Sequence, residues 1–128
     1  MVIELSLFGC RSDAERRVGE ELGQLTFAIN RVRDAANDQK AAPLKDLEQL
    51  PCRAAPACEL KELCAQAYRV HLQSLQHVER VREVMRAGAG PRDNAVRLLE
   101  TSEDELRRAR EMMQACVTLQ GRLTREYL

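Results

Sequence analysis

Five cysteines, at positions 10, 52, 58, 64 and 116, are the residues of this chain whose chemistry depends most on their spacing. Thiols can ligate a metal, exchange electrons or pair as disulfides. Cys52, Cys58 and Cys64 recur every six residues, wider than the close pairs of structural zinc sites. No two cysteines are separated by two residues, as in the common redox-active dithiol. His71 and His77 are six apart and do not share a helix face as a metal-binding pair would. Met112 and Met113 lie beside Cys116, but methionine at helical spacing more often fills a core. The chain has no glycine-rich phosphate loop, no G-x-S-x-G and no H-E-x-x-H. The expectation is a protein with no catalytic residues, no cofactor and no metal. The four cysteines after Cys10 form an even set, which allows three disulfide pairings.

The elements that must position these sulfurs are helical. Glycine and proline are sparse, and apart from a short N-terminal run the chain has no alternating, strand-like segments. Apolar residues make up 45% but aromatics only 3%, so the core must be built from Leu, Val, Ala and Met. Ser12, with Glu15 three residues on, forms a capping box at the start of a first helix. Val18, Leu22, Leu25, Ile29, Val32 and Ala36 then follow in steps of four and three, and Asn37 and Asp38 end it. Residues 39–57 read as a connection broken by Pro43, Pro51 and Pro56, with Leu44, Leu47 and Leu50 able to pack a short helical turn. A second helix runs from near Ala57 to Ala87 with the stripe Leu60, Cys64, Ala67, His71, Ser74, Val78, Val81, Met85. Gly88, Gly90 and Pro91 stop it. A third runs from about Asp93 to near the end, with the stripe Leu99, Ser102, Leu106, Ala109, Met113, Cys116, Gln120, Leu123, Tyr127. On its exposed side Glu103 and Asp104 are placed to pair with Arg107 and Arg108. The predicted fold is all-α: an antiparallel three-helix bundle made of a long hairpin with the first helix laid along it, plus a short extra turn at 44–50.

The short loop between the second and third helices folds them back antiparallel. Folding about residue 90 makes facing residues sum to 180, and the two stripes then coincide. Ala67 meets Met113, His71 meets Ala109, Ser74 meets Leu106, Val78 meets Ser102, and Cys64 meets Cys116. Loop and stripes set this register without reference to the cysteines. Cys58 and Cys64, if both helical, lie about 9 Å apart along the axis, beyond disulfide reach. The favoured pairing is Cys64–Cys116 with Cys52–Cys58; the remaining alternative, Cys52–Cys64 with Cys58–Cys116, needs Cys58, off the stripe, to turn inward. The first bridge would close a loop worth about 4 kcal/mol in the chain-entropy model, and the second about half that. Two other readings stand beside it: buried free thiols in a cytosolic helical adaptor or oligomerisation module, and a Cys/Met/His metal-binding protein. His71 reads as a packed histidine and His77 as a solvated one.

The N-terminus supplies a different signal. Val2 to Phe8 is a short apolar run, and Leu7-Phe8-Gly9-Cys10 resembles the cleavage motif of a bacterial lipoprotein. Leu7 and Gly9 fit the pattern, whereas Phe8 occupies a position that is usually small. By this motif the chain resembles small helical, cysteine-bearing lipoproteins of unknown function in Gram-negative bacteria. The resemblance covers four residues. It implies residues 1–9 as a truncated signal-like segment, lipid on Cys10, and residues 10–128 as one helical domain facing the periplasm. Arg11, rather than Asp, follows the cysteine, which in the enteric sorting pattern implies the outer membrane.

Charge narrows the partners further. Twenty basic and twenty acidic residues cancel, so the basic excess of a nucleic-acid binder is lacking. The sequence thus leads to a non-enzymatic envelope protein with a structural or partner-binding role, touching the membrane through Cys10 and a protein partner through its helices.

Overall fold

A serine starts the first helix. Ser12 has extended backbone, and its Oγ accepts the Glu15 N–H at 3.2 Å, satisfying one of the donors a helix start leaves open. In this computed structural model, which describes residues 12–88 and 92–128, α1 (Asp13–Asp34) leads into a 3-10 turn (Asn37–Gln39). Then come α2 (Ala41–Gln49), α3 (Ala55–Ala87) and α4 (Arg92–Tyr127). The described residues hold four α-helices and no strand, so the class is all-α and the count exceeds the expected three. The signal-like segment 1–9, Cys10, and Gly90 with Pro91 lie outside the described residues.

The additional helix comes from prolines that start helices rather than end them. Pro43 sits in the first turn of α2 and Pro56 in the first turn of α3. There the missing N–H has no intrahelical acceptor to lose, and the fixed φ suits the helix. Leu44 and Leu47 drive α2 into the core and Leu50 is half-buried, so the expected turn at 44–50 becomes a full helix beginning three residues earlier.

α1 stops before its predicted end. Ala35 and Ala36 are extended, and Ala36, counted on the apolar stripe, is exposed. Lys40 accounts for the stop. Its ammonium donates to the Val32 and Arg33 carbonyls at 2.7 and 2.9 Å, capping the last turn from the following segment. The turn so formed folds α2 back along α1. At the other end of α1, a Cβ on Gly19 would lie 3.3 Å from the Tyr127 carbonyl oxygen, so glycine permits the close approach of α1 to the last turn of α4.

α3 and α4 form the long hairpin, each about 50 Å by its residue count. Gly88, at φ 60°, closes α3 as a left-handed cap. Cys64 and Cys116 lie level, with Cα atoms 5.0 Å apart. His77 Nδ1 and Glu105 Oε2 meet at 2.7 Å about thirteen residues further toward the tip. The seam thus keeps the sum near 180 between these two levels. Buried Ala67, Ser74, Ser102 and Ala109 line it, and small residues there let the helices approach closely. Both serine hydroxyls donate to the carbonyl four residues back, Ser74 to Val70 and Ser102 to Leu98, so neither is left unsatisfied.

The hairpin divides into two regions. Below Tyr68 and beyond Cys116, α1 and α2 cover it, and Leu22, Leu25, Ile29, Val32, Leu47 and Leu60 form a core with 0–1% exposure. Among the described residues this core cluster ends at Leu72 and Met113. Above it α3 and α4 continue as a two-helix arm about 25 Å long.

Candidate functional site

The structure joins Cys64 to Cys116 and Cys52 to Cys58. These are the pairs that the hairpin register and axial spacing favour. Cys64 and Cys116 are fully buried, whereas Cys52 and Cys58 are partly exposed, with Cα atoms 5.4 Å apart. The second bridge ties the segment before α3 to its first turn. Glu21 of α1 holds the same place: its carboxylate accepts the Arg53 N–H at 2.8 Å and the Ala54 N–H at 2.9 Å. The carboxylate fixes the backbone at the entrance to α3 and complements its dipole, although it comes from a residue more than thirty positions away. No local sequence signal marks Glu21 for this role.

With all four sulfurs in bridges, none is available as a thiolate ligand, and Met113 packs against the core. Among the described residues no three His, Cys, Asp or Glu side chains gather as a metal-binding group. Cys10, the expected lipid attachment, lies outside the described residues.

A polar junction sits where α1 crosses the hairpin. Arg33 donates to three side chains: Nε to the Tyr68 hydroxyl at 3.2 Å, Nη1 to Asn30 Oδ1 at 3.0 Å, and Nη2 to Gln120 Oε1 at 2.8 Å. Gln120 also donates to Asn30 Oδ1 at 3.3 Å. The guanidinium fork thereby pins α1 to both α3 and α4, which fixes how far along the hairpin α1 lies. Lys40 Nζ lies 5.7 Å from the centre of the Tyr68 ring, within cation–π range. Burial lowers the Lys40 pKa; nearby Asp34 opposes the shift and Arg33 adds to it. His71 closes the junction toward the arm, with Nε2 3.5 Å from Asn37 Oδ1. Burial first, and Lys40 second, lower its pKa and favour the neutral ring. His71 is thus a packed histidine, as the stripe implied. His77 is not the solvated residue expected: it is half-buried against Glu105. The folding register could have found this pair, because the two numbers sum to 182, close to the seam value.

Exposed apolar side chains occur in the body, where Phe27 of α1 is 68% exposed, and they cluster on the arm. Met85, Val96 and Leu99 are 65%, 47% and 38% exposed and line a cleft of about 320 Å³ near the tip. A second cleft, about 500 Å³, opens above the end of α1, between Asn37, Asp38 and Ala41 below and Leu72, Leu75, Val78 and Arg82 of α3. The charges of the arm are arranged in short-range pairs. Arg82 and Arg86 reach Glu79 at 3.8 and 3.0 Å. Arg107 pairs with Asp104 at 2.8 Å, three residues back, instead of with Glu103. These exposed pairs contribute little to stability. Among the described residues no helix is long and apolar enough to cross a membrane.

The arrangement has a covalently stapled body, a polar clamp that sets the position of α1, and an apolar face left open on the arm. No protein-family model, curated protein or solved structure matches the chain.

Proposed function

We propose that the chain is an exported helical protein, held to a membrane by lipid on Cys10, that binds or braces a protein partner through its arm rather than catalysing a reaction. The buried Cys64–Cys116 pair carries this reading. Such a bridge persists in an oxidising compartment and is rare in the reducing cytosol. The pairing of the other four cysteines leaves Cys10 as the odd thiol, directly after Leu7-Phe8-Gly9. An odd cysteine in an exported chain calls for a use of its own, and acylation at a lipobox-like motif supplies one. In the enteric sorting pattern Arg11 favours the outer membrane.

The test is mass spectrometry of the protein from producing cells, with free thiols alkylated before any reduction. The expected result is a chain starting at a lipid-modified Cys10 in the membrane fraction, with peptides joined through Cys64–Cys116 and Cys52–Cys58. Recovery from the soluble fraction of a chain that retains residues 1–9, with four alkylated thiols in its body, would overturn the proposal.

A further inference from the structure

The exposed face of the arm is complementary to itself, and we propose that it docks a second copy of this chain to form an antiparallel four-helix bundle. The inference rests on the reading of the arm as a docking surface; it is independent of the lipid and of the compartment.

Two stripes border the face. On α3 they are Leu75, Val78, Arg82 and Met85; on α4, Val96, Leu99, Glu103 and Leu106. Each runs in steps of three, four and three, which keeps its members on one side of a helix. Leu75, Val78 and Arg82 line the cleft above α1, Met85 shares the tip cleft with Val96 and Leu99, and Glu103 and Leu106 line a third cleft lower on α4. In an antiparallel dimer α3 of one copy runs parallel to α4 of the other, so facing residues differ by a constant offset. An offset of about 21 satisfies every position at once, an arithmetic that follows from helix geometry. Leu75 meets Val96, Val78 meets Leu99, Arg82 meets Glu103, and Met85 meets Leu106 of the second copy. Within these eight positions apolar meets apolar at three levels, and Arg82 meets Glu103. Two-fold symmetry makes each contact twice.

The same offset fits the ends of the groove, which did not enter its choice. It brings Arg92, the first residue of α4, to the level of His71 in the second copy. That is where His71 touches Asn37 and the end of α1 closes the groove. The arm of one copy therefore fills the groove of the other from its tip to the shelf at Asn37 and Asp38, and Arg92 arrives beside the carboxylate of Asp38. In the single chain Glu103 makes no ion pair among the described residues, and Arg82 has only the 3.8 Å contact to Glu79. A face about 25 Å long and two helices wide buries on the order of 1,000 Å² in total, enough for a specific interface of modest size.

The full chain carrying Cys10→Ser, with its four other cysteines paired, serves for the test, since it has neither lipid nor an odd thiol. Sedimentation equilibrium is expected to show a concentration-dependent dimer. Arg82→Glu alone and Glu103→Arg alone each place like charges together at both symmetric contacts, and each is expected to weaken self-association by about tenfold or more. An equimolar mixture of the two should restore the dimer as a heterodimer, a rescue that a folding defect would not produce. Met85→Cys with Leu106→Cys should give covalent dimers under oxidation, because these positions lie about 16 Å apart along the axis within one chain, beyond disulfide reach. A monomer at every concentration overturns the inference and leaves the anchored-protein reading standing. A dimer indifferent to both charge reversals also overturns it.

Discussion

The body and the arm of this molecule share the same two helices and differ in what covers them. In the body, α3 and α4 meet α1 and α2, and large aliphatic side chains are sealed inside. In the arm the seam between α3 and α4 is closed by Ser74, Val81, Ser102 and Ala109, while Met85, Val96 and Leu99 face outward. A two-helix hairpin buries only a narrow face of each helix, so Met85 and Leu99, counted on the seam stripes by their spacing, stay open until something else covers them. The body is therefore the source of stability and the arm the source of surface. The buried Cys64–Cys116 bridge lies at the top of the body, where it holds the hairpin in register before the arm begins.

Replacing Cys64 and Cys116 together by alanine attacks this division most directly. It is expected to lower unfolding free energy by about 4 kcal/mol, whereas alanines at Cys52 and Cys58 cost about 2 kcal/mol. Denaturant midpoints of the two double variants measure this order, and its reversal would move the main brace to the Pro-rich connection. The same Leu→Ala change in both regions sharpens the contrast. Leu47→Ala, at 0% exposure, should cost about 3 kcal/mol, with a cavity left behind. Leu99→Ala, at 38% exposure, should cost less than about 0.5 kcal/mol in the monomer. Equal costs would mean that the arm is as tightly packed as the body.

Smaller effects probe the edges of the body. Glu21→Ala removes two hydrogen bonds that hold the entrance to α3 and should cost about 1 kcal/mol, with amide exchange accelerating first at Arg53 and Ala54. His71 supplies the smallest effect and a sign. Its folded pKa lies below the usual 6.5, so the unfolded chain takes up its proton at higher pH than the folded one. Its contribution is fully present above pH 6.5 and is lost as pH falls through the folded value. His71→Gln should flatten that part of the pH–stability curve, and an unchanged curve would show that burial at the junction leaves the ring indifferent.

Much of this architecture is legible in residue spacing. The stripes of α3 and α4 and the position of the hairpin loop place Cys64 opposite Cys116, because periodicity and a short loop together leave one register. Ser12 marks the start of α1 for an equally local reason. The connection at 39–57 is ambiguous in sequence because proline has two meanings: it breaks a helix from inside and begins one from its first turn. The early end of α1 has no local signal, since the Lys40 side chain that caps it lies outside the helix. Arg33, Tyr68, Asn30 and Gln120 carry no motif as a set, yet they converge.

Local sequence by itself determined the class, the hairpin register and the favoured sulfur pairing, since each follows from repeats along one or two adjacent helices. Only the tertiary structure decided where α1 and α2 stop along that hairpin, and so which half of it remains uncovered. That boundary is set by contacts between residues far apart in the chain, from Glu21 to Ala54 and from Arg33 to Gln120, and no periodic pattern encodes such contacts.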